Sequence, residues 1–277
     1  MAGFFGLFNY EKEGPGISKN APKKKTFFVF FETFFRNFWK FITINLVYCI
    51  MSIPVVTSGL AAVGITNVTR NTARDKHSFG LSDYFETVKK NWKQALGAGI
   101  INTLVYALLI FDLFYFTGME NGTMSTIFTG GILSIFLIFT MMNFYIWTLM
   151  ITFNFTLKQI YKNSFKFVFI NFKNNLIAIF VPILILGLFV GIMFLLANFW
   201  IHVLLIEIFI LILTFPGFQY LLIQYCTFPA IRKYIIDPYY EEHPDEDIEK
   251  RRNLGLEVEE DKPQTEDGED EETVFED

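Results

Sequence analysis

Apolar runs fill most of this chain, and the polar residues between them fall at helical spacing. In residues 27–40, Glu32, Arg36 and Lys40 recur every four positions and share one helix face, while the other face is almost all Phe. Residues 41–53 continue apolar and stop at Pro54. A small-residue stretch with Ala61, Ala62 and Gly64 then leads to Arg70 and Arg74. It is too short to cross a bilayer comfortably, which predicts a short helix packed inside the protein. After a polar loop at 71–81, Asp83 with Glu86 three residues on reads as a capping box, so a helix is expected from Tyr84 to about Phe116. Its first three turns are basic and amphipathic; the remainder spans. A span returns over 127–155.

Residues 157–175 are basic again, and Phe165, Val168, Phe169 and Phe172 follow helical spacing. Spans are expected at 176–196, with Pro182 tolerated as a kink, and at 203–228, bent by Pro216-Gly217. The basic stretch at 85–93 has a near-copy at 31–40 and a looser one at 165–174. Each precedes an apolar run, a break and another apolar run. This divides the helical domain, 27–236, into three hairpin units at about 27–74, 82–157 and 158–236. An N-terminal cytoplasmic segment, 1–26, and an acidic tail, 237–277, flank it.

Composition decides the solvent. Apolar residues make up 52%, Phe alone counts 35, and mean hydropathy is +0.37. The fold class is therefore all-α: a polytopic helical membrane protein of about six membrane helices, the second short, with basic interfacial helices. Charge is divided sharply. The tail from Asp237 holds 19 Asp/Glu against 4 Lys/Arg and is expected to be disordered by composition, whereas the rest of the chain is net basic. The loops near 117–123 and 198–202 lack Lys and Arg, so the positive-inside rule puts the basic regions and both termini in the cytoplasm of a multi-pass protein. The alternative is one kinked span over 38–66. The basic amphipathic helices are expected to rest on anionic membrane lipid, and no nucleic-acid partner is expected.

Two candidate sites follow. Asp112 and Glu207 are the carboxylates well inside spanning segments, where charge is costly, and could share a cation or proton; the bland reading has both reaching interfacial water. Val55, Val56, Thr57 and Ser58 open the short helix and could point free N–H groups at an anion; tight packing is the alternative. Asn102, Asn143, Asn154, Gln219 and Gln224 read as interhelical hydrogen-bonding groups. Cys49 and Cys226 lie in apolar runs and the three His are scattered, so no metal is expected. No phosphate loop, dinucleotide fingerprint or nucleophile elbow occurs, so neither a cofactor nor catalysis is expected.

Several motifs carry a family resemblance: Gly6-Leu7-Phe8-Asn9-Tyr10, Gly14-Pro15-Gly16-Ile17, Pro22-Lys23-Lys24-Lys25, Asn45-Leu46, Ile53-Pro54-Val55-Val56-Thr57-Ser58-Gly59 with Ala61, Arg70 to Arg74, and Lys90-Asn91-Trp92-Lys93-Gln94. With these the chain resembles the YesL-like family of Gram-positive bacterial membrane proteins, a domain-of-unknown-function family, over about residues 3–235. The resemblance implies several membrane helices in the bacterial cell membrane and no established activity. It also implies association with carbohydrate ABC transporter components or polysaccharide utilisation. The expected function is thus an accessory or regulatory membrane component; the alternative is a transporter or permease in its own right.

Overall fold

The computed structural model describes residues 25–76, 78–118, 122–197 and 201–242, and no strand occurs among them. The aromatic N-terminal segment, most of the acidic tail, Trp200 and the Asn121 side of its loop lie outside the described residues. The helices are α1 (Thr26–Arg36), α2 (Phe38–Ser52), α3 (Ser58–Ala73), α4 (Leu81–Thr117), α5 (Thr123–Thr152), α6 (Leu157–Ile170), α7 (Phe172–Ala197), α8 (Ile201–Ile231) and α9 (Asp237–Glu242). A 3-10 turn, Val55–Thr57, precedes α3, and a π turn, Arg232–Ile236, joins α8 to α9.

The short small-residue helix α3 is the hub. Every residue from Ala61 to Thr69 is buried, and α2, α4, α5 and α8 all pack on it. Its glycines explain how. A Cβ on Gly59 would lie 2.2 Å from the Ala95 carbonyl oxygen and 2.8 Å from Cα of Gly99, so α3 and α4 meet backbone to backbone. A Cβ on Gly64 would lie 2.5 Å from the Tyr84 ring, and the Tyr84 hydroxyl donates to the Ala61 carbonyl at 3.0 Å. Thr66 and Thr69 donate to carbonyls of their own helix, at 2.6 and 2.8 Å, and so enter the apolar interior without unmet hydroxyls.

Among the described residues four segments are long and apolar enough to cross a membrane: Leu81–Thr117, Thr123–Thr152, Phe172–Ile192 and Leu205–Glu242. The first pair of the expected six falls short of that standard. α2 has 15 residues, which at 1.5 Å each reach about 23 Å against the ~30 Å of a hydrocarbon core. α4, with 37 residues, is about 55 Å long and exceeds the core.

The start of α4 differs from the sequence reading in its capping. α4 begins at Leu81, not Tyr84, and its N-cap is Gly80 with φ +62°. The Asp83 carboxylate is drawn back to the Phe79 N–H (3.1 Å), so the Asp83–Glu86 capping box does not form. A reciprocal box does form at Thr156 and Gln159, opening α6.

The three basic stretches fold in two ways. Asn37 separates α1 from α2 and donates to the Thr33 carbonyl (2.9 Å); Asn171 stands between α6 and α7. Asn91 makes the same four-residue bond, to Thr87 (3.0 Å), but inside an unbroken α4. The expected stripe of α6 turns outward in part: Phe165, Phe169 and Phe172 are exposed, while Ile160, Ser164, Phe167 and Val168 face the bundle. α1 likewise buries Phe30, Thr33 and Phe34 and exposes Phe27, Phe28 and Phe35.

The gap that Pro216 leaves in the hydrogen bonding of α8 is met by α2. Pro216 lacks an N–H, so the Ile212 carbonyl loses its helical donor. The Cys49 thiol lies 3.9 Å from that oxygen, and the Asn45 amide donates to the neighbouring Leu213 carbonyl at 2.6 Å. Gly217 gives Asn45 room, since a Cβ there would stand 2.9 Å from Oδ1.

Candidate anion-binding site

The end of α3 brings three cations together. Its last turn closes with Asp75 N–H to the Thr72 carbonyl (3.2 Å) and Lys76 N–H to the Asn71 carbonyl (3.0 Å). This is the Schellman pattern, and Asp75 takes its left-handed position with φ +50°. Asp tolerates that region better than most residues, though less well than Gly. The turn places Arg74 and Lys76 beside Arg70, which stands one helical turn back.

The two Nη groups of Arg70 are bound by neutral groups. One Nη donates to the Ile151 carbonyl (3.1 Å) and the Thr152 hydroxyl (3.0 Å); the other donates to Asn67 Oδ1 (2.8 Å). It thereby satisfies an end carbonyl of α5, where the helix dipole favours a cation. Arg74 lies over the Phe228 ring, 3.9 Å from its centre. The Nε of Arg70 and the Nε and Nη2 of Arg74 are buried and donate to no partner among the described residues.

Nearby carboxylates are engaged elsewhere. Asp75 pairs with Arg36 of α1. Asp83 is held by the Phe79 N–H, and Asp237 pairs with Arg232 at 3.2 Å. Among the described residues no carboxylate pairs with Arg70, Arg74 or Lys76. The physical result is a depression of basicity. Burial, reinforced by Arg70, lowers Arg74 to about 9, and burial with Arg74 and Arg70 lowers Lys76 to about 8.

These cations line a cavity of about 620 Å³. Opposite them stand Phe153, Phe155, Ile235, Ile236, Tyr239 and Tyr240, so the wall is aromatic and aliphatic. The ends of α3 and α5, the π turn after α8 and the helix α9 build it. On the far side of Arg70 a separate cavity of about 480 Å³ carries Asp83, Glu86 and Lys90 and is mixed in charge. The lining suits the first cavity to binding an anion, with three cationic donors beside an aromatic and aliphatic wall.

The candidate sites read from the sequence lie elsewhere. Asp112 is on α4 and Glu207 on α8; both are partly exposed, and no hydrogen bond or ion pair joins them among the described residues. Oε2 of Glu207 is buried without a partner. At Val55–Ser58, Val55 and Val56 are exposed, Thr57 donates to the carbonyls of Met51 and Pro54, and Ser58 donates to that of Val55. Gly59 packs against Gly99, and no side chain caps the N–H groups that open α3. Asn102 and Asn143 do bond across α4 and α5 (2.6 Å), and Gln224 reaches Thr148 (3.0 Å). Asn154 instead lines the cationic cavity.

Residues 41–113 match a family described as Protein of unknown function, DUF624. That match runs from α2 to near the end of α4 and so contains Arg70, Arg74 and Lys76. No curated protein matches the chain, and no solved structure does. Sequence reasoning used Arg70 and Arg74 as a helix end and a family motif, not as a site, and did not single out Lys76. Their spacing, i, i+4 and i+6 across a helix end, was the available signal. What it lacked was the diversion of Asp75 to Arg36, a contact 39 residues apart in the chain. The junction of Tyr145 with Asn171 (2.9 Å) and Asn175 (2.7 Å), tying α5 to the α6–α7 boundary, was also missed.

Proposed function

We propose that this chain is an accessory, regulatory membrane protein that works beside carbohydrate uptake of the ABC type or polysaccharide utilisation, as its resemblance to the YesL-like family of Gram-positive proteins implies. In this reading it lies in the bacterial cell membrane with six membrane helices, the second short, and both termini in the cytoplasm. Its basic helices rest on anionic lipid, and the cationic cavity faces the cytoplasm, within reach of a transporter partner.

One observation supports an accessory role over a conduit: α3 is enclosed along its length, while its basic end stays open. A solute pathway needs room at mid-depth. Here Gly59 and Gly64 leave no space for one methyl group on the faces they present to α4. A protein that binds a signal or a partner at one end needs no such passage.

Gene deletion is expected to impair growth on one class of glycan and spare growth on simple sugars. Affinity purification of the tagged protein should recover transporter subunits. Purified protein alone in liposomes should take up no sugar; partner-independent uptake would overturn the accessory reading in favour of a permease. A cysteine at Lys25 is expected to react only from the cytoplasmic side, and labelling from outside would remove the six-helix topology.

A further inference from the structure

The cavity beside Arg70, Arg74 and Lys76 presents positive charge with too few oxygens to meet it. Burying an ionised donor without an acceptor is costly, and one guanidinium crowding another adds to the cost. Among the described residues no carboxylate pairs with these cations: Asp75 and Asp237 are held by Arg36 and Arg232, and Asp83 accepts from the Phe79 N–H. Neutral carbonyls and hydroxyls satisfy part of Arg70 only. A tetrahedral oxyanion would meet both deficits, offering several acceptor oxygens and the opposing charge.

Size and lining extend this to the rest of the ligand. A volume of about 620 Å³ lies in the range of small-molecule sites and far exceeds a bare oxyanion. Away from the cations the wall is Phe153, Phe155, Ile235, Ile236 and the two tyrosines, which suits a ring or an apolar body. We propose that this cavity binds the phosphate group of a phosphate ester, with Arg74 and Lys76 on the oxygens and the body of the ester against the aromatic wall. Arg70 adds its charge from behind while holding the end of α5. Two sources carry this chemistry: a soluble sugar phosphate and the headgroup of an anionic phospholipid. The choice of a sugar ester rests on the carbohydrate-linked reading above; the phosphate chemistry does not.

The experiment uses the full chain purified in non-ionic detergent at constant ionic strength. One arm titrates a hexose 6-phosphate against the neutral hexose by calorimetry. The other reconstitutes the protein in nanodiscs of mixed phosphatidylglycerol and phosphatidylcholine and reads retained lipid by native mass spectrometry. Binding in the first arm identifies a soluble ester, and selective retention of phosphatidylglycerol identifies a headgroup. In whichever arm responds, Arg74→Gln and Lys76→Gln should each weaken binding at least tenfold, whereas Lys262→Gln, which removes the same charge from the acidic tail, should not. Sulfate should compete in the unmodified protein, a readout independent of how the variants fold. The proposal is overturned if neither arm exceeds its neutral control, or if binding survives both substitutions and sulfate unchanged. Phosphate-ester binding that persists while deletion leaves growth and co-purification unaffected would sink the accessory reading alone.

Discussion

Gly59 shows how much one missing methyl group can decide. Adding Cβ there forces α3 from α4 at a point where backbone meets backbone, and no flexible side chain can give way. Overpacking of this kind costs about 1–3 kcal/mol or more. Gly191, on α7, has nothing within 4 Å of a built Cβ. Gly59→Ala is therefore expected to lower the thermal midpoint of the detergent-solubilised protein by several degrees. Gly191→Ala should leave it level or raise it, since Ala is the better helix former. Equal effects in a fluorescence-detected melt would contradict the packing described for α3.

Lys76 supplies a second test at this scale, with the sign set by linkage. Charged groups around it are Arg36, Lys40, Arg70, Arg74 and Asp75, with Tyr239 and Tyr240 on the opposite wall. Folding lowers its basicity to about 8, against about 10.4 for a free lysine. Between those values the unfolded chain binds more protons, so stability contributed here rises with pH through that window and is lowest below it. The ligand-free protein should melt higher at pH 9.5 than at pH 7.5, and Lys76→Gln should reduce that rise. A bound phosphate ester, which favours the charged amine, should flatten it as well.

At the scale of elements, the basic stretches are collars with two apolar faces. α6 packs Ile160, Phe167 and Val168 on the bundle and leaves Phe165 and Phe169 outside, beside Lys158, Lys162 and Lys166 in sequence. Aromatic rings with flanking lysines fit the headgroup boundary of an anionic bilayer. Spin labels at 165 and 169 are expected to be relaxed more by oxygen, which partitions into lipid, than by a water-soluble nickel chelate. A label at 160 should be shielded from both. Chelate-dominated relaxation at 165 would put α6 in water. Asn37, Asn91 and Asn171 recur at the same place in the three stretches, yet only two of them end a helix. Local spacing marked the recurrence, but whether the helix breaks depends on what α1 and α6 must turn to pack against.

For the whole molecule, the division of charge is the dominant feature. The bundle is basic, and residues 243–277 hold 16 Asp/Glu against 4 Lys/Arg. Tyr239 and Tyr240 in α9 line the cationic cavity, so a truncation that tests the tail should begin at 243 and leave α9 intact. Removing 243–277 is expected to weaken recovery of a transporter partner at low salt and to make little difference at high salt, where screening already suppresses the contact. Recovery unchanged at low salt would exclude a role for the tail in partner binding.

Much of this architecture was open to a reading of the chain alone. Long apolar runs require helices because unpaired backbone groups are costly in lipid, and that reasoning located the four long helices to within a few residues. The small residues of α3 announced close packing, and Asn102 and Asn143 announced their interhelical bond. The sequence determined these features by itself because each rests on local periodicity or on the cost of burying one kind of group. The start of α4 moved because Asp83 prefers the Phe79 N–H, a choice made by a loop conformation. The cationic cavity was decided only by the tertiary structure. Arg70, Arg74 and Lys76 are common residues at the end of a membrane helix; they become a site because Arg36 takes Asp75 and because α5 and α9 roof over the charge left behind. Such a deficit is a sum over long-range partners, and no stretch of sequence carries it.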